Sequence, residues 1–119
     1  MLYLLMVLTQ NGAGDINASF VNTLTLEQCQ EKTLMVEAVF NTADIPVIEH
    51  RCIKSKLEFS EFGHAVSSSQ INYFYLIHMD ELAVQIKKIP DWSTCMMQAR
   101  QSVEAGKTYC SSSAQFLEN

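Results

Sequence analysis

The sequence predicts an α+β fold, built as a tandem ββαβ repeat with about six strands and two helices packed on sheet. Three observations carry this expectation. Leu82 to Cys110 reads as a strand, a capped helix and a short strand. Moving back 66 positions finds the same plan, with Thr25 at the cap of Asp91 and Cys29 at Cys95. One strand earlier, YLLMVLT from Tyr3 to Thr9 overlies YFYLIHM from Tyr73 to Met79 at an offset of 70. The change of offset falls in a turn, where Gln10 to Asp15 faces the two residues Asp80-Glu81, and turns accept insertions. The middle of the pattern also contains a ferredoxin-like βαββαβ order with an added N-terminal strand, which is the alternative fold.

Taken in order, Leu2 to Leu8 is apolar at nearly every position, so both faces of that strand should be covered. Gln10 to Asp15 is a glycine-bearing turn, and Ile16 to Asn22 is a strand of weaker pattern. Thr25 and Gln28 form a capping box for a helix from about Leu26 to Asn41, with Leu26, Cys29, Thr33, Val36 and Phe40 on one stripe. Pro46 opens a polar strand, Val47 to Ile53, with Glu49 and Arg51 on one side and Ile48, His50 and Cys52 on the other. Lys56 to Phe62 continues it or forms a short strand, and the serine-rich stretch after Gly63 predicts a connector. The domain is thus two halves, 1–60 and 71–117, joined by 61–70. In the second half, Leu82, Val84 and Ile86 alternate as one strand face. Asp91 caps a helix whose stripe is Trp92, Cys95, Ala99, Ser102 and Gly106, with Gly106 at the C-terminal cap position.

With 119 residues, each half is too short to be comfortable alone, so the halves should share a core. A net charge of −5 with only eight scattered Lys and Arg argues against nucleic acid, whose phosphates demand clustered cations. The apolar start MLYLLMVL lacks a preceding cation and is too short to span a bilayer; it reads as a buried strand rather than a leader, and no membrane contact is expected.

The four cysteines fall one to each helix and one to each following strand. From Cys29 to the helix end is about 18 Å, and the return from Ile45 to Cys52 gains about 23 Å, so the thiols arrive at similar heights. For the second helix the ascent is about 16 Å and the return about 10 Å. Pairing within each unit, Cys29 with Cys52 and Cys95 with Cys110, is expected among the three possible connectivities; four reduced, buried thiols are the alternative. Disulfides would place the chain in an exported setting, and thiols in the cytoplasm.

No catalytic, cofactor or metal site emerges. The cysteine intervals lack a zinc knuckle, and His50 with Cys52 supplies only two ligands. Cys29 and Cys95 sit on apolar stripes, where burial works against a thiolate nucleophile. Glu58, Glu61, Asp80 and Glu81 lie on loops or edges with no apolar pocket to shift them. Tyr73, Tyr75, Ile77 and Met79 form one face of their strand, opposite Phe74, Leu76 and His78, and both faces are too apolar for water. The helices should cover one. A sheet-face homodimer, or a face-to-face packing of the two halves, would cover the other. The functional expectation is a small non-enzymatic protein-binding or assembly module that uses an apolar sheet face or edge, as a homodimer or with a protein partner. The rival is a small hydrolase-like or ligand-binding protein with its site in the cleft between the halves.

Overall fold

The computed structural model describes residues 2–61, 73–103 and 105–118. The order is β1 (Tyr3–Gln10), β2 (Ile16–Thr23), α1 (Leu26–Thr42), β3 (Val47–Lys54), β4 (Tyr73–Met79), β5 (Val84–Ile89), α2 (Trp92–Gln101) and β6 (Lys107–Ser113). The fold is α+β: the six strands make one curled mixed sheet in the order β3-β1-β2-β6-β4-β5, with two helices. In each half the strand after the helix returns to the far side of the first strand, β3 beside β1 and β6 beside β4, both antiparallel. This side-by-side order differs from the interleaved order of a ferredoxin-like sheet. The connector predicted at 61–70 lies, apart from Glu61, outside the described residues.

Residue chemistry sets the element ends. Thr25 Oγ1 accepts the Gln28 N–H at 3.0 Å, while Gln28 Oε1 reaches back to the N–H of Leu24 rather than of Thr25. Asp91 Oδ1 caps α2 through the Thr94 N–H at 2.8 Å. Helix α2 is shorter than its sequence stripe, because Ser102 is already extended. Gly106 therefore does not cap the helix. It occupies the turn into β6 at φ +102°, where an added Cβ would lie 2.4 Å from the Met79 carbonyl oxygen.

The β4–β5 turn also departs from expectation. Asp80 to Ala83 forms a four-residue turn in which Asp80 Oδ1 accepts the N–H groups of Leu82 and Ala83, both at 2.8 Å. Leu82 leaves the strand and is 96% exposed. The expected overlay of Tyr3–Thr9 on Tyr73–Met79 at an offset of 70 is out of phase by one residue. Leu4, Met6 and Leu8 share one core with Tyr75, Ile77 and Met79, so overlaying Tyr3 on Tyr73 would have turned each side chain to the wrong face.

Both faces of β1 are covered, with Leu4 to Leu8 all fully buried. Leu5 and Val7 meet α1 through Cys29 and Val36 on the outer face. Phe74 and Leu76 meet α2 around Cys95 and Cys110 on the same outer face. The inner faces of the two halves meet as the sheet curls. At one end of this interior Phe20 stacks on Phe59 at 3.8 Å, and Tyr75 meets both edge-on at 5.6 and 5.5 Å. The halves join along a short parallel seam, Ile16 and Asn17 against Ser111 and Ser112. Past the end of β6, the Gln115 side chain continues the ladder: it accepts from Phe20 N at 2.8 Å and donates to Phe20 O at 2.6 Å and Ser60 O at 2.7 Å.

Candidate functional site

The four cysteines form two disulfides, Cys29–Cys52 with sulfurs 2.16 Å apart and Cys95–Cys110 with sulfurs 2.25 Å apart. Each ties a helix's first turn to the strand that follows it. Cys29 and Cys95 are fully buried, so these residues staple the outer layer to the sheet.

Tyr75, Ile77 and Met79, expected at a face open to a partner, are instead buried inside the chain. Curling brings the first half over that face, with Leu4, Met6, Phe20 and Phe59 as the cover. Of the four, Tyr73 alone stays half-buried, against Phe116 at 5.9 Å and under the Lys88 ammonium at 6.0 Å. Burial pushes the Tyr75 phenol up to about 12, against a smaller opposing effect of a backbone bond at Leu117.

The end of the interior opposite the aromatic cluster is open. Here β3, on one edge of the sheet, curls toward β6 and the β4–β5 turn. A cleft of about 510 Å³ lies between the halves, lined by Glu49 and Arg51 of one half and by Met79, Asp80, Glu81, Leu82 and Lys107 of the other. Glu49 accepts from Lys107 Nζ at 2.9 Å and from the Tyr109 hydroxyl at 3.1 Å, through the same oxygen, Oε2. The Lys107 bond holds the Glu49 carboxyl below its ordinary value, partly opposed by burial, and raises Lys107 in turn. Arg51 Nη1 donates to the Asp80 carbonyl. Asp80 is itself lowered by the backbone N–H groups of Leu82 and Ala83. The cleft thus carries ionised groups of both signs above an apolar floor at Met79.

The histidines singled out in the sequence lie elsewhere. His50 Nε2 stands 3.4 Å from Glu37 on the outer face, beside α1. His78 Nδ1 is 2.6 Å from Thr108 Oγ1, also on the outer face. Among the described residues no group of three or more His, Cys, Asp or Glu is placed to hold a metal ion, and no described helix is long and apolar enough to cross a membrane.

Glu49, Arg51 and Lys107 were not singled out as a site from sequence, yet one signal was available. Cys52 must face its helix, so Glu49 and Arg51, out of phase with it, must face the interior. Charges aimed at an apolar core imply an open mouth there. The outer flank of α1 was also missed: Leu34, Met35 and Val39 are 73%, 59% and 55% exposed. They lie off the stripe of Leu26, Cys29, Thr33, Val36 and Phe40, which was legible. No family model, curated protein or solved structure matches the chain.

Proposed function

We propose that the chain is a small non-enzymatic ligand-binding protein with its site in the cleft between the two halves. The observation that carries this reading is the 510 Å³ cleft in which Glu49 and Arg51 from one half converge with Asp80, Glu81 and Lys107 from the other. An open cleft of this size, with an apolar floor and a few convergent polar groups, is a form that small-molecule sites take. The same groups are poorly suited to acid–base catalysis. Glu49 is held ionised by Lys107 and Tyr109, and the lowered Asp80 spends one oxygen on its own turn. A fragment screen read by backbone NMR tests the proposal. Shifts clustering at Arg51, Leu82 and Gly106 support it, and a screen in which no fragment moves those resonances refutes it.

We propose also that the fold is a tandem ββαβ repeat. Both halves place the post-helix strand beside the first strand, and both join helix to strand by a cysteine pair. Two disulfides in a chain of this size also favour an oxidising, exported setting.

The protein-binding reading keeps one specific observation in its favour. With the sheet face buried, the α1 flank of Leu34, Met35 and Val39 is one apolar surface, among the described residues, that a partner or a second copy would cover. Light scattering of the wild type against Leu34→Glu/Val39→Glu decides whether that flank self-associates. A mass of two chains that falls to one in the variant supports a homodimer; a single-chain mass for both excludes it.

A further inference from the structure

The cleft's charge layout narrows the class of ligand, an inference that rests on the cleft being the binding site. We infer that it takes a small zwitterion with an apolar body, the chemistry shared by a free aliphatic amino acid and a short aliphatic peptide.

Formal charges on the lining alternate along its walls. The β3 wall presents Glu49 and Arg51; the facing turns present Asp80 and Glu81 on one side and Lys107 on the other. Three carboxylates against two cations make the lining unsuited to a simple anion, which would face Asp80 and Glu81. A simple cation would face the Arg51 guanidinium and the Lys107 ammonium. A zwitterion meets both demands, because each of its charges can approach the opposite sign while the lining's own pairs persist.

Hydrogen-bonding capacity is left over for this role. Arg51 commits Nη1 to the Asp80 carbonyl, and a guanidinium has five N–H groups in a fork that matches a carboxylate. Lys107 commits one of three N–H groups to Glu49. On the acidic side, Asp80 uses Oδ1 on the turn, which leaves Oδ2 for an ammonium, and Glu81 adds a second carboxylate to the same lining. Below these groups Met79 is buried, and Leu82 rises at the rim with almost its whole side chain in water. An aliphatic body laid over the Met79 floor and against Leu82 would remove the Leu82 side chain from water. A cavity near 510 Å³ holds an amino acid with room to spare, and it also admits a short peptide.

The test is NMR titration of the oxidised protein with four probes: L-leucine, leucine methyl ester, 4-methylvalerate and Leu-Leu. The ester keeps only the positive charge, the valerate only the negative one, and the dipeptide carries both at a greater separation. The expected result is a Kd for leucine or Leu-Leu at least about tenfold below that of either singly charged probe, a gap of about 1.4 kcal/mol. Whichever zwitterion binds more tightly identifies the source. Glu81→Gln, on an exposed turn, should weaken the zwitterion and the ester but leave the valerate unchanged. Arg51→Gln should weaken the zwitterion and the valerate, and Arg51→Lys should restore part of the loss. Should Arg51→Gln misfold, Glu81→Gln still decides. The inference is overturned if either singly charged probe binds as tightly as the zwitterions. It is equally overturned if the zwitterions leave Arg51, Leu82 and Gly106 unmoved while fragments shift them, an outcome that spares the cleft itself. Silence of those residues toward fragments as well removes the cleft reading.

Discussion

Replacing Gln115 by Ala is the most direct probe of how the two halves are joined. Gln115 is buried, and its amide satisfies three backbone groups: the N–H and carbonyl of Phe20 and the carbonyl of Ser60. The parallel seam that precedes it has only two residue pairs, so this side chain holds the join where β2 and β6 part. A buried polar group left without a partner costs about 1–3 kcal/mol. Three such groups, with a water admitted at the half-buried Ser60, give a loss of about 3–5 kcal/mol. Against a total stability of about 5–15 kcal/mol for a domain of this kind, that is a large fraction. At about 4 °C per kcal/mol the midpoint should fall by about 12–20 °C. Urea denaturation of the oxidised protein, followed by circular dichroism, measures the loss; amide exchange at Phe20 should accelerate in step. Gln115→Glu separates hydrogen bonding from packing. Its carboxylate would face the carbonyls of Phe20 and Ser60, so its folded pKa is raised above the unfolded value of about 4.3. The variant is then nearest to wild type below the unfolded pKa and loses stability as pH rises through the folded one. A loss under about 1 kcal/mol for Gln115→Ala, with an unchanged denaturant slope, would refute the claim that this amide carries the seam.

Further outcomes follow from the same structure. Removing Cys29–Cys52 as a double alanine variant should cost about 3.4 kcal/mol, and removing Cys95–Cys110 about 3 kcal/mol, from loops closed over separations of 23 and 15 residues; guanidinium denaturation should rank them in that order. Gly106→Ala combines a left-handed φ with a clash against the Met79 carbonyl and should cost more than about 2 kcal/mol, measured by thermal unfolding. Glu49, whose pKa is lowered chiefly by Lys107, contributes stability that is present above its unfolded value and lost as pH falls through its folded value; Glu49→Gln should therefore flatten the acid limb of a stability–pH curve without abolishing it, since Asp80 and Asp91 are lowered too. Tyr75 should ionise near pH 12 in an ultraviolet titration; as a raised group, its contribution persists below the unfolded value of about 10 and disappears through 12.

Local chemistry made much of the fold legible in the sequence. Thr25 and Asp91 marked the helix starts because a capping side chain acts within three residues. The cysteine pairing was legible because one pair recurs in each half, and because rise per residue brings Cys29 and Cys52 to similar heights; for Cys95 and Cys110 the heights match less closely. The one-residue error between β1 and β4 has a local cause as well. Asp80 folds its own carboxylate onto the Leu82 and Ala83 N–H groups, which makes a four-residue turn in place of the expected two, while Gln10 pairs with Ile16 and cuts the first turn from six residues to five; the two changes together leave a slip of one. The curl of the sheet was a different matter. Whether the Tyr75 face meets a second copy or the chain's own first half depends on contacts between residues some seventy positions apart. No window of sequence contains both sides of that contact. The cleft inherits this difficulty, since its walls come from β3 and from the β4–β5 and α2–β6 turns.

The two ends of the interior pose unequal physical problems, and the difference bears on function. At the seam end, the aromatic triplet of Phe20, Phe59 and Tyr75 excludes water, and Gln115 satisfies the polar groups that remain. Fold stability alone would favour the same solution at the other end, because interior ion pairs recover little beyond what their desolvation costs. Leucine or valine at positions 49 and 51 would extend the apolar face of β3 from Ile53 and let the sheet close. Instead Glu49 and Arg51 point inward and hold that end wet, with Lys107 and Tyr109 keeping Glu49 ionised rather than neutral. Departures from the locally most stable choice gather where a protein does its work. On that argument the mouth, and not the more apolar and better-packed remainder of the sheet, is where a ligand should be sought.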